Sequence, residues 1–168
     1  MNPEFIDVVD DLDHVIGQET ITESIRQGFN RRVAHIWIFD VEGKLLVCQR
    51  PFTVKSYPGK WTSSAGGYVT TGDSYEITAH RELKEELGLV ASLQHAFLLK
   101  YSNPRGYFMF IDLWFGKVDN EKIIFDSEEI MGYKFISIME LGKWITKKPE
   151  DFNPEFIELV KLWNEKMC

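Results

Sequence analysis

Cysteine is scarce in this chain. Two occur among 168 residues, Cys48 within an apolar run and Cys168 at the last position. They are too few for a disulfide framework, and their spacing is not that of a thiolate metal site. Long apolar runs are also missing. No stretch approaches the ~20 apolar residues that span a bilayer, and the opening MNPEFIDVVDD is acidic and lacks the basic-then-apolar order of a leader. The expectation is a protein without a membrane partner, in a reducing, cytoplasmic setting. Basic charge is outnumbered: 19 Lys and Arg stand against 26 Asp and Glu, a net charge of −7. A nucleic-acid backbone is therefore not the expected partner, because such binders carry a basic face. The two basic clusters, at 27–32 with Arg31 and Arg32 adjacent and at Lys147–Lys148, are not interleaved with aromatics as single-strand platforms are. A phosphate ligand held through a metal stays open.

The composition is 44% hydrophobic and 27% charged, that of a globular chain. Its length suits one domain, taken as 1–168, with a substantial core. Two short strands are expected in EFIDVVDDLDHVIGQE around a polar turn at Asp10–Asp13, then a short helix in TITESIRQGF ending near Gly28. AHIWIFDVEGKLLVCQR reads as a strand, a tight turn at Val41–Gly43 and a second strand. PFTVKSYPGKW is punctuated by prolines and glycine as a loop, and TSSAGG as a small, tight connection. LQHAFLLKYS and GYFMFIDLWFGKV are aromatic strands joined by a turn at Asn103–Gly106. DNEKIIFDSEEIMG reads as a polar loop with a short strand, GYKFIS as a strand and SIMELGKWIT as a short helix. NPEFIELVKLWNEKM closes the chain as an amphipathic helix, with Asn153 as cap, Pro154 at the first position and Phe156, Leu159, Val160 and Trp163 facing inward. Interspersed strands and helices give an α/β domain with a mixed sheet between helices.

The informative stretch is GGYVTTGDSYEITAHRELKEELGL, Gly66 to Leu89. It predicts a helix with Ser74 as N-cap and Gly88 just past the end. Ala79, Leu83 and Leu87 form its inward stripe. Glu82, Glu85 and Glu86 fall beside that stripe, at spacings where like charges cost ~0.2–0.5 kcal/mol per pair. A charged run on a helix is by default a solvated face, but here the surrounding pattern argues otherwise. Gly67, Asp73, Arg81, Glu82, Leu83, Glu85, Glu86, Gly88 and Leu89 resemble the Nudix box, spaced Gly, five residues, Glu, seven residues, then Arg-Glu-aliphatic-x-Glu-Glu-x-Gly-aliphatic. One fixed position departs: Asp73 stands in place of the box glutamate. The resemblance spans 67–89 and implies a Nudix-type α/β/α sandwich with a central mixed β-sheet. It further implies a Mg²⁺- or Mn²⁺-dependent pyrophosphohydrolase. Crowded carboxylates make a hard oxygen site suited to such cations, with positions left for phosphate oxygens. By the resemblance, Glu82, Glu85 and Glu86 hold the metal, Gly67 lets backbone approach it, and Arg81 orients a glutamate and holds the helix to the preceding loop. The shorter Asp73 is read as structural.

The segment RPFTVKSYPGKWTSSAGG also resembles the corresponding segment of isopentenyl-diphosphate isomerases, which share the fold. That resemblance assigns Arg50 and Lys55 to diphosphate binding, by a bidentate clamp and a point charge. The isomerase active-site run Trp-Thr-Asn-Ser-x-Cys-Gly-His-Pro is not kept, however. The aligned residues are Trp61 to Val69, with Gly66 at the catalytic cysteine and Tyr68 at the metal-binding histidine. Cys48 lies outside that alignment. The expected substrate is a small organic diphosphate, a nucleoside diphosphate derivative, with no nucleic acid; a homodimer is left open. The alternatives are an isopentenyl-diphosphate isomerase-like enzyme, opposed by Gly66 and Tyr68, and a non-catalytic metabolite-binding module, which has no need of the intact carboxylate segment. Glu129, in DSEEI, is the candidate for the further carboxylate that family members recruit beyond the box. His35 reads as a core or edge histidine, His80 as a residue of the box helix beside the glutamates in sequence but off their face, and His14 and His95 show no partner pattern.

Overall fold

The computed structural model describes residues 4–119 and 121–167; Cys168 lies outside them. One sheet organises the chain. Its centre is β3 (Arg31–Phe39), whose residues are almost all buried, as a strand covered on both faces must be. On one side β3 pairs in parallel along its whole length with β8 (Phe108–Lys117), which pairs antiparallel with β7 (Gln94–Ser102). On the other side it meets β6 (Ala65–Tyr68) over Val33–Ile36, but β4 (Leu45–Gln49) only at Phe39↔Leu45. Beyond β4 lies β9 (Gly132–Ile136), while the two-residue β5 (Trp61–Thr62) pairs with the other edge of β4, the one that meets β3 at Leu45. β1 (Phe5–Val9) and β2 (Val15–Thr20) form a hairpin at the start of β3. The parallel β3–β8 pair makes the sheet mixed.

Alternation along β3 and β4 sorts two cores. Ala34, Ile36, Ile38, Leu46 and Cys48 face α2 (Tyr75–Leu87) and bury its Ala79, Leu83 and Leu87. Val33, Trp37, Phe39, Leu45 and Val47 face the opposite layer, built from α3 (Ile138–Lys147) and α4 (Pro154–Met167). There Trp37 packs on Trp163 and Phe156 with ring centroids 5.0 and 5.8 Å apart. The remaining helix, α1 (Ile21–Gln27), is capped by Thr20 and ended by Gly28 in the left-handed region. A Leu83→Ala truncation at the α2 contact would cost ~2–5 kcal/mol.

The helix ends follow the expected chemistry. The Ser74 hydroxyl accepts from the Ile77 N–H, and Gly88 closes α2 at φ 65°. Asn153 Oδ1 accepts from the Glu155 N–H at 3.0 Å, and Pro154 opens α4. Two readings are corrected. TSSAGG is not merely a connection: Trp61–Thr62 and Ala65–Tyr68 are strands. They are too short and too rich in serine and glycine to show a period of their own, and they exist because β4 and β3 offer free edges. The 121–131 segment contains no strand. Its N–H groups go elsewhere: Ile124 donates to the Leu87 carbonyl and Asp126 to the Glu86 carbonyl, so the segment straps the end of α2.

Candidate active site

Because β3 and β4 pair at one rung only, they diverge, and Ser64 fills the gap. Its hydroxyl accepts from the Ile38 N–H at 2.8 Å and donates to the Leu46 carbonyl at 2.6 Å. The divergence places β6 across the mouth of a cavity of about 430 Å³, within the range of small-ligand sites.

Gly66 and Gly67 of β6 meet α2 on one side of that mouth. The Gly66 N–H donates to Glu86 Oε1 at 3.0 Å. A Cβ on Gly67 would overlap the Glu82 carboxylate, so any larger residue here would push that carboxylate out of its place; the box glycine leaves room for it, independently of its backbone angles. Arg81 Nη1 donates to Glu82 at 2.7 Å and reaches Glu85 at 3.5 Å. Its Nη2 donates to the Thr70 hydroxyl at 3.1 Å and the Tyr68 carbonyl at 3.4 Å. Arg81 thus ties the helix to the strand before it. Asp73 stands 3.8 Å from Arg81 Nε, an ion pair too long for a hydrogen bond.

The three glutamates differ. Glu86 lines the cavity, and burial pushes its carboxyl up to about 8. The Gly66 hydrogen bond and Arg50 oppose that rise, while Glu82 and Glu129 add to it. Glu82, behind Gly67, is pushed up to about 7 by burial, against Arg81 and with Glu85. Glu85 is exposed. Among the described residues no three acidic, histidine or cysteine side chains stand in ready coordination. Arg81 holds Glu82 in a different pairing. Even so, two largely enclosed carboxylates whose proton affinity is raised by burial and by neighbouring carboxylates, Glu82 acting on Glu86 and Glu85 on Glu82, with a glycine backbone beside them, fit a divalent cation, which would relieve the repulsion.

Arg50 and Lys55, from the loop at 51–60 and its start, line the same cavity, as does Glu129. Arg50 Nε donates to the Ser56 carbonyl at 2.9 Å, and the guanidinium forms no ion pair among the described residues. Glu128 is exposed, its N–H bound to Asp126 Oδ1. Glu82, Glu85 and Arg81 are not on the cavity wall.

Several cavity residues carried no sequence signal. His35 borders the cavity, its Nδ1 2.8 Å from the Ser63 hydroxyl, which also accepts from Trp37 Nε1 at 3.0 Å. Burial pushes the imidazole down to about 4, with Arg50 adding to the effect. Cys48, a strand residue of β4 as expected, also reaches the cavity, but burial raises its thiol pKa and so removes thiolate character. Arg31 and Glu155 also line the cavity. Two histidines read as unpartnered have partners away from the site: His95 Nε2 lies 2.6 Å from Asp112 Oδ1 and His14 Nδ1 3.1 Å from Asp10 Oδ2.

The NUDIX domain model matches residues 29–160. The chain is 31% identical over 166 residues to an isopentenyl-diphosphate Delta-isomerase of Serratia proteamaculans, covering 94% of this chain and 90% of that protein. It is 31% identical over 163 residues to an uncharacterized Nudix hydrolase of a Nostoc species, covering 95% of each. The crystal structure of DR0079 from Deinococcus radiodurans superposes with a TM-score of 0.82 at 24% identity, covering 98% of this chain and all of that one. The chain belongs to the Nudix family. It is a pyrophosphohydrolase of the branch that resembles the isomerase without keeping its catalytic cysteine. No helix among the described residues is long and apolar enough to cross a membrane.

Proposed function

We propose that the protein hydrolyses the diphosphate linkage of a small organic diphosphate, a nucleoside diphosphate derivative, with Mg²⁺ or Mn²⁺. The observation that carries this is one cavity bordered by both the Glu86–Gly67 end of the box and by Arg50 and Lys55, neither of which forms an ion pair among the described residues. Glu82, Glu85, Glu86 and the Gly67 backbone would hold the cation, with Glu129 as a further carboxylate. A cation there would neutralise phosphate charge, polarise phosphorus and make a water more acidic. Arg81 positions Glu82 and Glu85. Arg50, whose Nη groups make no hydrogen bond among the described residues, grips the diphosphate in a bidentate contact, and Lys55 adds charge from the cavity wall. The isomerase alternative finds no support at Gly66, which offers only its N–H, and that is taken by Glu86.

The test is turnover by the purified protein across organic diphosphates with Mg²⁺ or Mn²⁺. Glu85→Gln or Glu86→Gln should lower it by orders of magnitude. Glu86→Gln keeps an acceptor for Gly66 and removes a buried charge, so the fold should persist. Undiminished turnover in both variants, or formation of dimethylallyl diphosphate, would refute the reading.

A further inference from the structure

One polar side chain of the cavity belongs neither to the box nor to the loop at 51–60. His35, at the middle of β3, is 7% exposed and lines the cavity. Its register partner across the β3–β6 pair is Gly66, whose N–H donates to Glu86. A Cβ on Gly66 would stand 3.4 Å from the imidazole Cγ and Nδ1, so the ring lies over β6 where that strand meets the box. The absent side chain leaves the ring that space. Nδ1 is also 2.8 Å from the Ser63 hydroxyl.

Hydrogen-bond accounting fixes the tautomer of that ring. Trp37 is fully enclosed, and its Nε1–H, which can only donate, goes to the Ser63 hydroxyl at 3.0 Å. Ser63 is 1% exposed and has one proton to give. Among the described residues, His35 Nδ1 is the acceptor within its reach. Were Nδ1 protonated, the hydroxyl would face two donors and its own proton would be stranded in an enclosed place, which is costly. Nδ1 therefore accepts, and the imidazole, neutral in its enclosed position, carries its proton on Nε2. Nε2 has no hydrogen-bond partner among the described residues, yet it is not sealed in. With Nδ1 turned to Ser63, Nε2–H opens on the cavity. It is a neutral donor beside Arg50 and Lys55, where it suits an anionic oxygen. It is no general base, because Nε2 already holds its proton.

We propose that His35 is a substrate-contacting residue of this site, its Nε2–H donating to a phosphate oxygen of the bound diphosphate. This rests on the hydrolase reading for its ligand but not for its tautomer. A hydrogen bond to a charged acceptor is among the stronger ones, so its loss should weaken diphosphate binding by roughly ten- to hundredfold.

The experiment is histidine nitrogen NMR near neutral pH, with Mg²⁺ and the non-hydrolysable probe methylenediphosphonate. The chain has four histidines, and the signal lost in His35→Phe assigns this one. His35 should show the Nε2–H form in the free protein, and its Nε2–H signal should move as the probe saturates. Calorimetry should show the probe bound roughly ten- to hundredfold more weakly by His35→Phe, which keeps a ring but has no donor. If that variant does not fold, the signal is assigned through Ser63→Ala and the titration of the parent protein decides alone. An Nδ1–H form, an unmoved signal, a probe that does not bind, or a folded His35→Phe with parental affinity overturns the proposal. A moved signal without hydrolysis of any diphosphate ester sustains it and fails only the hydrolase reading. Hydrolysis with an unmoved signal overturns it and leaves that reading standing.

Discussion

Arg50 and His35 face the same cavity with opposite electrostatic requirements, and each leads to a measurement. Arg50 follows β4, and its side chain makes one hydrogen bond to a backbone carbonyl and, among the described residues, no ion pair. Its removal therefore costs the fold little, while a charge-assisted hydrogen bond to phosphate contributes ~1.5–3 kcal/mol. Arg50→Ala should lower kcat/KM by ~10–100-fold with a nearly unchanged melting temperature. A fall in melting temperature with kcat/KM per folded molecule intact would make it a structural residue. His35 is enclosed and held neutral, down to about 4 in the fold against ~6.5 in an unfolded chain. Between those values the unfolded chain binds the extra proton, so its contribution to stability is complete above pH ~6.5 and is lost as pH falls toward 4. Urea unfolding at pH 7 and pH 4.5 should show a smaller acid loss in His35→Gln than in the parent. Equal losses would mean that His35 accepts its proton without unfolding.

At the scale of elements, the cavity depends on how β3 and β4 part. A fully paired hairpin would close the space that β6 occupies. The parting leaves the Ile38 N–H and the Leu46 carbonyl without strand partners, and the Ser64 hydroxyl serves both. Ser64→Ala strands two buried backbone groups at ~1–3 kcal/mol each. For a chain of this size that corresponds to a drop of roughly 4–24 °C in melting temperature. Thermal unfolding decides it: an unshifted transition would mean that water or a small movement of β6 replaces the hydroxyl. The same parting sets Gly66 against Glu86 and Gly67 against Glu82, so a loosened Ser64 bridge should also raise the metal concentration required for activity.

Over the whole molecule, the acidic balance and the folding of the basic residues point the same way. Arg31 and Arg32 look in sequence like the start of a basic patch. The fold buries Arg31 beneath Tyr107 and pairs Arg32 with Asp13 at 2.8 Å and Asp7 at 3.5 Å. What remains of the two clusters as exposed tandem charge is Lys147–Lys148. Neither cluster therefore offers a single-stranded polyanion a track to follow. Hydrolysis of a small nucleotide diphosphate ester should therefore be insensitive to excess single-stranded RNA at physiological salt. Strong inhibition, or efficient decapping of the RNA, would show a basic path assembled from scattered lysines.

Sequence alone determined what depends on local order. Helix α2 follows from a serine cap, a glycine stop and an Ala79–Leu83–Leu87 stripe. The box is legible because its chemistry is concentrated on that helix and the glycine just before it. The apolar run of β3 announces a strand covered on both faces, and the Asn153–Pro154 start of α4 is local too. Only tertiary structure decided which charges share a cavity. Glu82, Glu85 and Glu86 look equivalent by spacing, but contact with β6 buries Glu86, turns Glu82 onto Arg81 and leaves Glu85 in water. Strands β5 and β6 form because neighbouring edges are free, which no short window of residues encodes. Arg31 and Glu155, 124 positions apart, line one cavity because the first residue of β3 and the first turn of α4 both reach it. Side-chain chemistry is written residue by residue, whereas proximity between distant residues is set by the sheet's register and the layers packed on it.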